Sequence, residues 1–450
     1  MKIRIYGTVA VICLAFAGVT GCNTARPAAT QAQVSANSSY GDGITVSNNI
    51  TPEEDRIYIS LAGYEKKGSK QALIESPGEA ESFEVISSEG DETVYEGTIL
   101  YLNDEGSGER TGTCDFSSVE NEGSFYIRTD LGAKSGEFEI KEGLYKKLLS
   151  DRISYFGETG TEKEELDSDN TGQCILRITD YLLAQEFFPE AISPGAGNDP
   201  HIIPRTTLLA KAEVDNLMEF ATKDEAIKPQ VEKDTGLLYR LAGVFSLTAY
   251  EFREYDPEYA MECVDIATEA YRLAEDGYRE ASETDRKSFD DERYWACAQL
   301  YKLLGGKEYR EAVHGYAPDI PKGWDKDNFG YLGTVAYLTC YNKIDLNIGE
   351  QLITALMEDI NAVLKKPETE EISLSEDARL MVLGNYISKN IKYVEGAEDC
   401  LARLYGKNLL GKDYAGSPDS GSYDEPQMFI LAGLIDSYIY EDKEPEAMEK

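Results

Sequence analysis

The sequence predicts a two-module chain, a small β-sandwich followed by many antiparallel helices closed into a barrel or toroid. Three observations carry that prediction. Between Asp55 and Ile140 apolar and polar residues alternate at period two, with Gly, Asp and Asn turns between the runs. From Tyr145 onward apolar residues recur at three and four, in about ten to twelve segments of 12 to 20 residues between Gly, Pro or Asp-rich breaks. No β-run of comparable quality interrupts those segments.

In chain order, Lys2 and Arg4 give a positive start and Val9 to Val19 is a short apolar run. A membrane-spanning helix needs about 20 apolar residues, so the run fits a secretory signal of residues 1–21. It ends in Val19-Thr20-Gly21-Cys22, which resembles the lipobox of bacterial lipoproteins. That resemblance implies a diacylated Cys22 at the mature N-terminus and a chain tethered to the outer face of the cell membrane, since two acyl chains anchor stably where one does not. Residues 22–52, rich in Ala, Ser, Thr, Asn and Gln, read as a flexible tether.

The sandwich is placed at 53–141, with strand runs at Arg56 to Ser60, Ser82 to Ile86, Val94 to Leu100 and Gly123 to Arg128. The helical module is placed at 142–442, ahead of a short tail at 443–450. Its stripes include Leu209, Ala212, Asn216, Leu217 and Phe220, then Ala260, Cys263, Val264, Ala267, Tyr271 and Ala274. Helices in that number after one sandwich favour a closed ring over a four-helix bundle, with a solenoid as the alternative.

Asp and Glu outnumber Lys and Arg by 83 to 44, a net charge of −39 that disfavours a nucleic-acid partner. Cys114, Cys174, Cys263, Cys297, Cys340 and Cys400 are scattered without CxxC spacing and read as small buried hydrophobes. With only His201 and His314, the chain offers no histidine-based metal centre or triad. Asp325, Asp327 and Asn328 are calcium-ligand types without a full EF-hand pattern, so no cofactor is expected, and calcium stays an alternative. Trp295 reads as core, whereas Trp324, in a polar stretch, is a candidate sugar-stacking platform.

Several segments resemble glycoside hydrolase family 9, the cellulase family, in that family's order from about residue 57 to 440. Asp115-Phe116-Ser117, Gly123 to Ile127, Gly136 to Ile140 and Tyr145 resemble the Ig-like module that precedes its catalytic domain. Ile203-Pro204 with Ala212 to Leu217, and Tyr255-Asp256-Pro257-Glu258-Tyr259-Ala260, resemble two barrel segments. Asp291-Glu292-Arg293-Tyr294-Trp295-Ala296-Cys297-Ala298-Gln299-Leu300-Tyr301 resembles D-E-x-x-W-A-A-A-E-L-Y, and Leu404 to Gly411 resembles the stretch before the active-site loop. The resemblance implies an Ig-like sandwich followed by an (α/α)6 barrel whose cleft binds β-1,4-linked glucan.

Inverting glycosidases hold an acid and a base about 6.5–9.5 Å apart across the scissile bond. By resemblance the base motif D-A-G-D-Y-G-K-Y falls on Asp167 to Cys174. Aligned on Gly172, Asp167 is the helper and Asn170 stands at the base position, with Asp169 taking that place if the loop shifts by one residue. An amide matches a carboxylate in shape but accepts no proton. The resemblance makes Glu425, ahead of Pro426, the candidate acid. The residues alone also permit an Asp/Asn-rich turn at 167–170 and a helix-start carboxylate at 425. The family's histidine-containing substrate loop has no counterpart, because Asp413 to Tyr423 is short and holds no histidine. Three functions follow as expectations: a surface-anchored glucanase, a saccharide-binding protein without hydrolysis, and an envelope scaffold.

Overall fold

A computed structural model describes residues 55–76, 80–101, 110–159, 166, 170–193, 203–222, 233–316, 329–366, 374–416 and 427–441. The first module is a sandwich of two sheets. One has the order β1 (Arg56–Tyr58), β3 (Gln71–Ser76), β7 (Arg110–Asp115), β6 (Leu100–Tyr101). The other runs β2 (Tyr64–Glu65), β9 (Phe138–Lys141), β8 (Gly123–Thr129), β4 (Ser82–Ser87), β5 (Thr93–Thr98). Alternation puts Phe125, Ile127 and Thr129 of β8 inward. A register shift between Val85 and Ile86 of β4 lets two successive side chains both be buried. Between the sheets Tyr64 meets Phe116 and Phe138 edge-on, with ring centroids 5.1 and 5.3 Å away.

The second module is helical. Six long helices alternate in the chain with six that are buried almost all round. The outer set is α1 (Leu144–Thr159), α4 (Arg205–Thr222), α6 (Pro257–Glu280), α9 (Lys307–Tyr316), α11 (Leu346–Val363) and α13 (Ile391–Leu404). The inner set is α2 (Thr171–Phe187), α5 (Thr235–Phe252), α8 (Asp290–Leu304), α10 (Gly330–Leu338), α12 (Leu374–Ser388) and α14 (Met428–Glu441). Two short helices, α3 (Pro189–Ile192) and α7 (Glu283–Lys287), complete the described set. Side-chain caps start several of them: Asp234 accepts from the Leu237 amide at 2.9 Å, and Asp256 accepts from the Tyr259 amide at 3.1 Å, ahead of Pro257.

Burial follows the two roles. Outer α6 buries one stripe, Tyr259, Ala260, Cys263, Ala267, Ala270 and Ala274. On α4 the stripe differs from the sequence reading: Ala210, Val214, Leu217 and Met218 are buried and Ala212 is exposed, because Ala, with little apolar surface, marks a face weakly. Inner α5 buries nearly every residue.

Residue pairs show that the inner helices run in one direction. Arg240 faces Glu292, Tyr294 faces Thr334, Lys302 faces Thr339 and Asn385 faces Ser437. Close approach at one level explains two glycines. A Cβ on Gly243 would stand 2.7 Å from the Trp295 indole, and one on Gly333 would stand 2.6 Å from the Tyr294 ring. Trp295 is fully buried and stacks on Phe329 at 5.1 Å, as its core assignment requires. The ring closes where α14 packs on α1, α2 and α12. The result is a β-sandwich followed by an (α/α)6 barrel. The six cysteines of the two modules are buried and unbridged. Among the described residues no helix is long and apolar enough to cross a membrane.

Candidate functional site

Parallel inner helices bring their N-terminal ends toward one rim, and the chain segments that precede those ends carry the sequence-predicted site residues. Asp167 and Asp169 precede α2, Trp324 precedes α10 and Glu425 precedes α14, but all four lie outside the described residues, as do Cys22, His201 and the calcium-type residues Asp325, Asp327 and Asn328. Asn170 is described. It is half-buried and stands directly before Thr171, its carbonyl accepting from the Cys174 amide at 3.1 Å while its side chain makes no cap hydrogen bond.

The start of α14 is built from buried polar groups that sequence reasoning did not single out. Asp180, nine residues after Thr171 on α2, accepts from the backbone amides of Met428 at 2.7 Å and Phe429 at 3.2 Å. At 1.5 Å per residue, α14 therefore begins about 14 Å below the start of α2, inside the ring. The amides are two of the four that a helix N-terminus leaves without partners, and a carboxylate there also meets the positive end of the macrodipole. Burial raises the Asp180 pKa, and Arg379, the two amides and Arg152 oppose that shift. Asp180 and Arg379 are also the charged members of a mainly apolar cavity that Leu176, Leu183, Leu332 and Phe429 help to line.

The other flank of the same segment is fixed as well. Buried Arg152 of α1 donates to the Ala415 carbonyl at 2.9 Å and to the Tyr405 hydroxyl at 3.4 Å, and that hydroxyl donates to Gln427 Oε1 at 3.3 Å. Residues 405–416 fold around Asn408, whose amide group donates to the carbonyls of Arg403 (2.8 Å) and Lys412 (2.7 Å) and whose Oδ1 accepts from the Lys412 amide at 3.1 Å. Segment 417–426, which carries Glu425, is thus bounded on both sides by residues tied to α1, α2 and each other.

A second carboxyl sits between α5 and α8. Glu292, in the first turn of α8, is nearly fully buried, and its carboxylate lies 3.9 Å from the Arg240 guanidinium. Burial pushes its pKa up to about 7, opposed by its own backbone amide and Arg240 and reinforced by Asp291 and Asp234. At the opposite ends of the inner helices Lys302 of α8 donates to Glu186 of α2 at 2.5 Å and to Thr339 at 3.0 Å, and it lies 4.6 Å from the Tyr250 ring centroid. Among the described residues no group of three or more His, Cys, Asp or Glu is arranged to hold a metal ion.

A signal for these groups exists in the sequence only as polar residues inside apolar runs. Asp180 interrupts Ile178-Thr179 and Tyr181-Leu182-Leu183, and Lys302 interrupts Leu300-Tyr301 and Leu303-Leu304. Neither run names the partner.

Sandwich and ring together define a two-module architecture of the cellulase type, and comparison with known proteins agrees. The family profile described as the cellulase N-terminal ig-like domain matches residues 53–133, and that of glycosyl hydrolase family 9 matches residues 211–425. Both modules of the chain thus match those of family 9 glycoside hydrolases, and its relatives by sequence and by fold lie in the same family. Endoglucanase D of Acetivibrio thermocellus is 21% identical over 456 aligned positions, covering 80% of this chain and 72% of the relative. A cellodextrinase of Butyrivibrio fibrisolvens is 22% identical, covering 72% of this chain and 70% of the relative. The solved structure of a Bacteroides ovatus family 9 protein superposes with a TM-score of 0.67 at 16% identity, covering 85% of this chain and 99% of that one, a likeness of fold.

Proposed function

We propose that this protein is a lipid-anchored glycoside hydrolase of the bacterial cell surface that takes a β-1,4-linked glucan at the mouth of its helical ring and cleaves it with inversion. The observation that carries this reading is the anchored start of α14. Glu425 lies three residues before Met428 in the chain, and the Met428 amide is held by buried Asp180. A helix whose entry is fixed in this way supports an acid that must protonate a leaving oxygen in one geometry. In this reading Glu425 gives its proton to the glycosidic oxygen as the C–O bond breaks. Asp167 or Asp169 takes a proton from the water that attacks the anomeric carbon from the opposite face, and Trp324 provides a stacking face for a sugar ring. The relatives named endoglucanase and cellodextrinase support a β-glucan as the substrate class.

The test is release of reducing ends from soluble β-glucan by wild type and by Glu425→Gln. Loss of the acid lowers the rate on the order of 10²–10⁴-fold. Equal trace release by both proteins rejects hydrolysis. Anchoring has its own test: Cys22→Ser moves the protein from the membrane fraction to the medium, and retention of that variant in the membrane rejects the lipid anchor.

One observation favours a second reading, a surface protein that binds the saccharide without cutting it. The base position carries Asn170, whose amide accepts no proton. Affinity electrophoresis in β-glucan gels separates the two. Retarded migration without reducing-end release supports binding alone, and unretarded migration rejects it.

A further inference from the structure

The two modules meet on a buried carboxyl group. We propose that Glu398 is a proton-operated latch that holds the Ig-like module firmly against the helical ring when protonated and loosens it when ionised. Glu398 lies on α13 and is only 4% exposed. Its Oε2 accepts from the backbone amide of Ser69, in the turn between β2 and β3, at 2.8 Å. Its Oε1 accepts from the hydroxyl of Tyr145 on α1 at 3.0 Å and from the hydroxyl of Tyr438 on α14. One carboxyl therefore joins the sandwich to three helices.

The turn is shaped to reach it. A Cβ on Gly68 would stand 2.6 Å from Glu398 Oε1 and 3.0 Å from the Tyr438 hydroxyl, so only glycine lets the backbone approach so closely. The buried ammonium of Lys70 holds the turn from within, donating to the carbonyls of Lys66 (2.7 Å), Gly68 (2.8 Å) and Glu65 (3.5 Å). Next to the turn, Leu61 donates its amide to the Tyr405 carbonyl at 2.7 Å, continuing the interface toward the 405–416 segment.

The groups that face Glu398 decide its response to pH. From the sandwich Lys70 faces it, with Glu65, Glu120 and Asp115 around that ammonium, and Tyr64 lines a cavity with it. Helix α1 brings Tyr145 and α14 Tyr438; on its own helix Asp399 is paired with Lys407, and Tyr405 beyond that helix lines the cavity as well. Lys70 is the facing cation, but its ammonium is engaged by carbonyls and burial lowers its own pKa. Burial is the largest influence on Glu398 and pushes its pKa up to about 7, against the opposing effects of Tyr438, Ser69, Tyr145 and Lys70. Released from the interface into water the group returns to the ordinary carboxylate range near 4.5. Undocking therefore favours the ionised form: docking is strongest at low pH and weakens as pH rises from about 5 to 8.

Hydrogen exchange of the full chain, read by mass spectrometry and corrected for the intrinsic rate, tests this. In wild type the protection of the 64–70 peptide falls on the order of tenfold between about pH 5.5 and 8, while that of the β8 peptide in the same module does not follow it. Glu398→Gln keeps the shape and removes the titration, so its 64–70 peptide has no such slope. Gly68→Ala pushes the carboxyl away and lowers protection already at the acid end. Parallel slopes at 64–70 and β8 in wild type, a flat wild-type profile, or an unchanged slope in Glu398→Gln each overturn the latch. The first two readouts need no variant, so a variant that fails to fold leaves the test intact.

Discussion

Two levels of the inner ring bury charge, and they direct it differently. At the C-terminal ends, Lys302 neutralises Glu186 and adds Thr339 and the face of Tyr250, so one ammonium ties α2, α5, α8 and α10 together with side-chain partners alone. Around the start of α14, Asp180 directs its hydrogen bonds at the backbone amides of Met428 and Phe429, and Arg152 shares its own between the Ala415 carbonyl and the Tyr405 hydroxyl. The first arrangement cross-links a floor. The second fixes the chain on either side of the segment that carries Glu425. Burial of charge alone does not mark a functional site in this fold; what the charge is aimed at does.

The sharpest way to break the contrast is to remove the floor ammonium. Lys302→Met leaves Glu186 as a buried carboxylate with no compensating charge, which destabilises by about 3–5 kcal/mol. Urea unfolding followed by circular dichroism measures it. Combining Lys302→Met with Glu186→Leu recovers most of the loss, because replacing both partners with apolar groups removes the stranded charge. A double mutant as unstable as the sum of the single ones shows that the pair is not coupled and that the floor is held by packing.

That pair also shows what the sequence could and could not disclose. Alternation made β4 and β8 legible, because each has one face in the sandwich core and the other turned away from it. It did not mark β3, where Ala72, Leu73 and Ile74 are all buried and no alternation survives. Outer helices such as α6 announced themselves by a stripe, whereas inner helices such as α5, buried all round, showed only as apolar segments. The ring was legible from the number of helical segments together with family-like motifs in order. Long-range pairing was not: Asp180 and Met428 stand 248 residues apart, and nothing in the residues around either one names the other. Of the candidate site, Glu425, Asp167 and Asp169 rest on motif spacing, and the groups that hold their surroundings became visible only in three dimensions.

At the start of α14 the expected effect is smaller. Asp180→Asn keeps an acceptor of the same shape for one of the two amides but strips the charge that Arg379 and Arg152 face. The expected loss of stability is about 1–3 kcal/mol, less than at the floor, because a backbone hydrogen bond survives. Its pH dependence has a defined sign. Burial raises the Asp180 pKa, so in wild type the stability associated with this carboxyl is lost as pH climbs above the ordinary range. The deficit of Asp180→Asn relative to wild type therefore narrows toward alkaline pH. The functional readout separates anchor from floor: at conditions where both proteins are fully folded, Asp180→Asn weakens retardation in β-glucan gels, while Lys302→Met migrates as wild type does. If the two substitutions weaken retardation equally, the start of α14 has no special relation to the saccharide, and the buried aspartate is one more element of scaffolding.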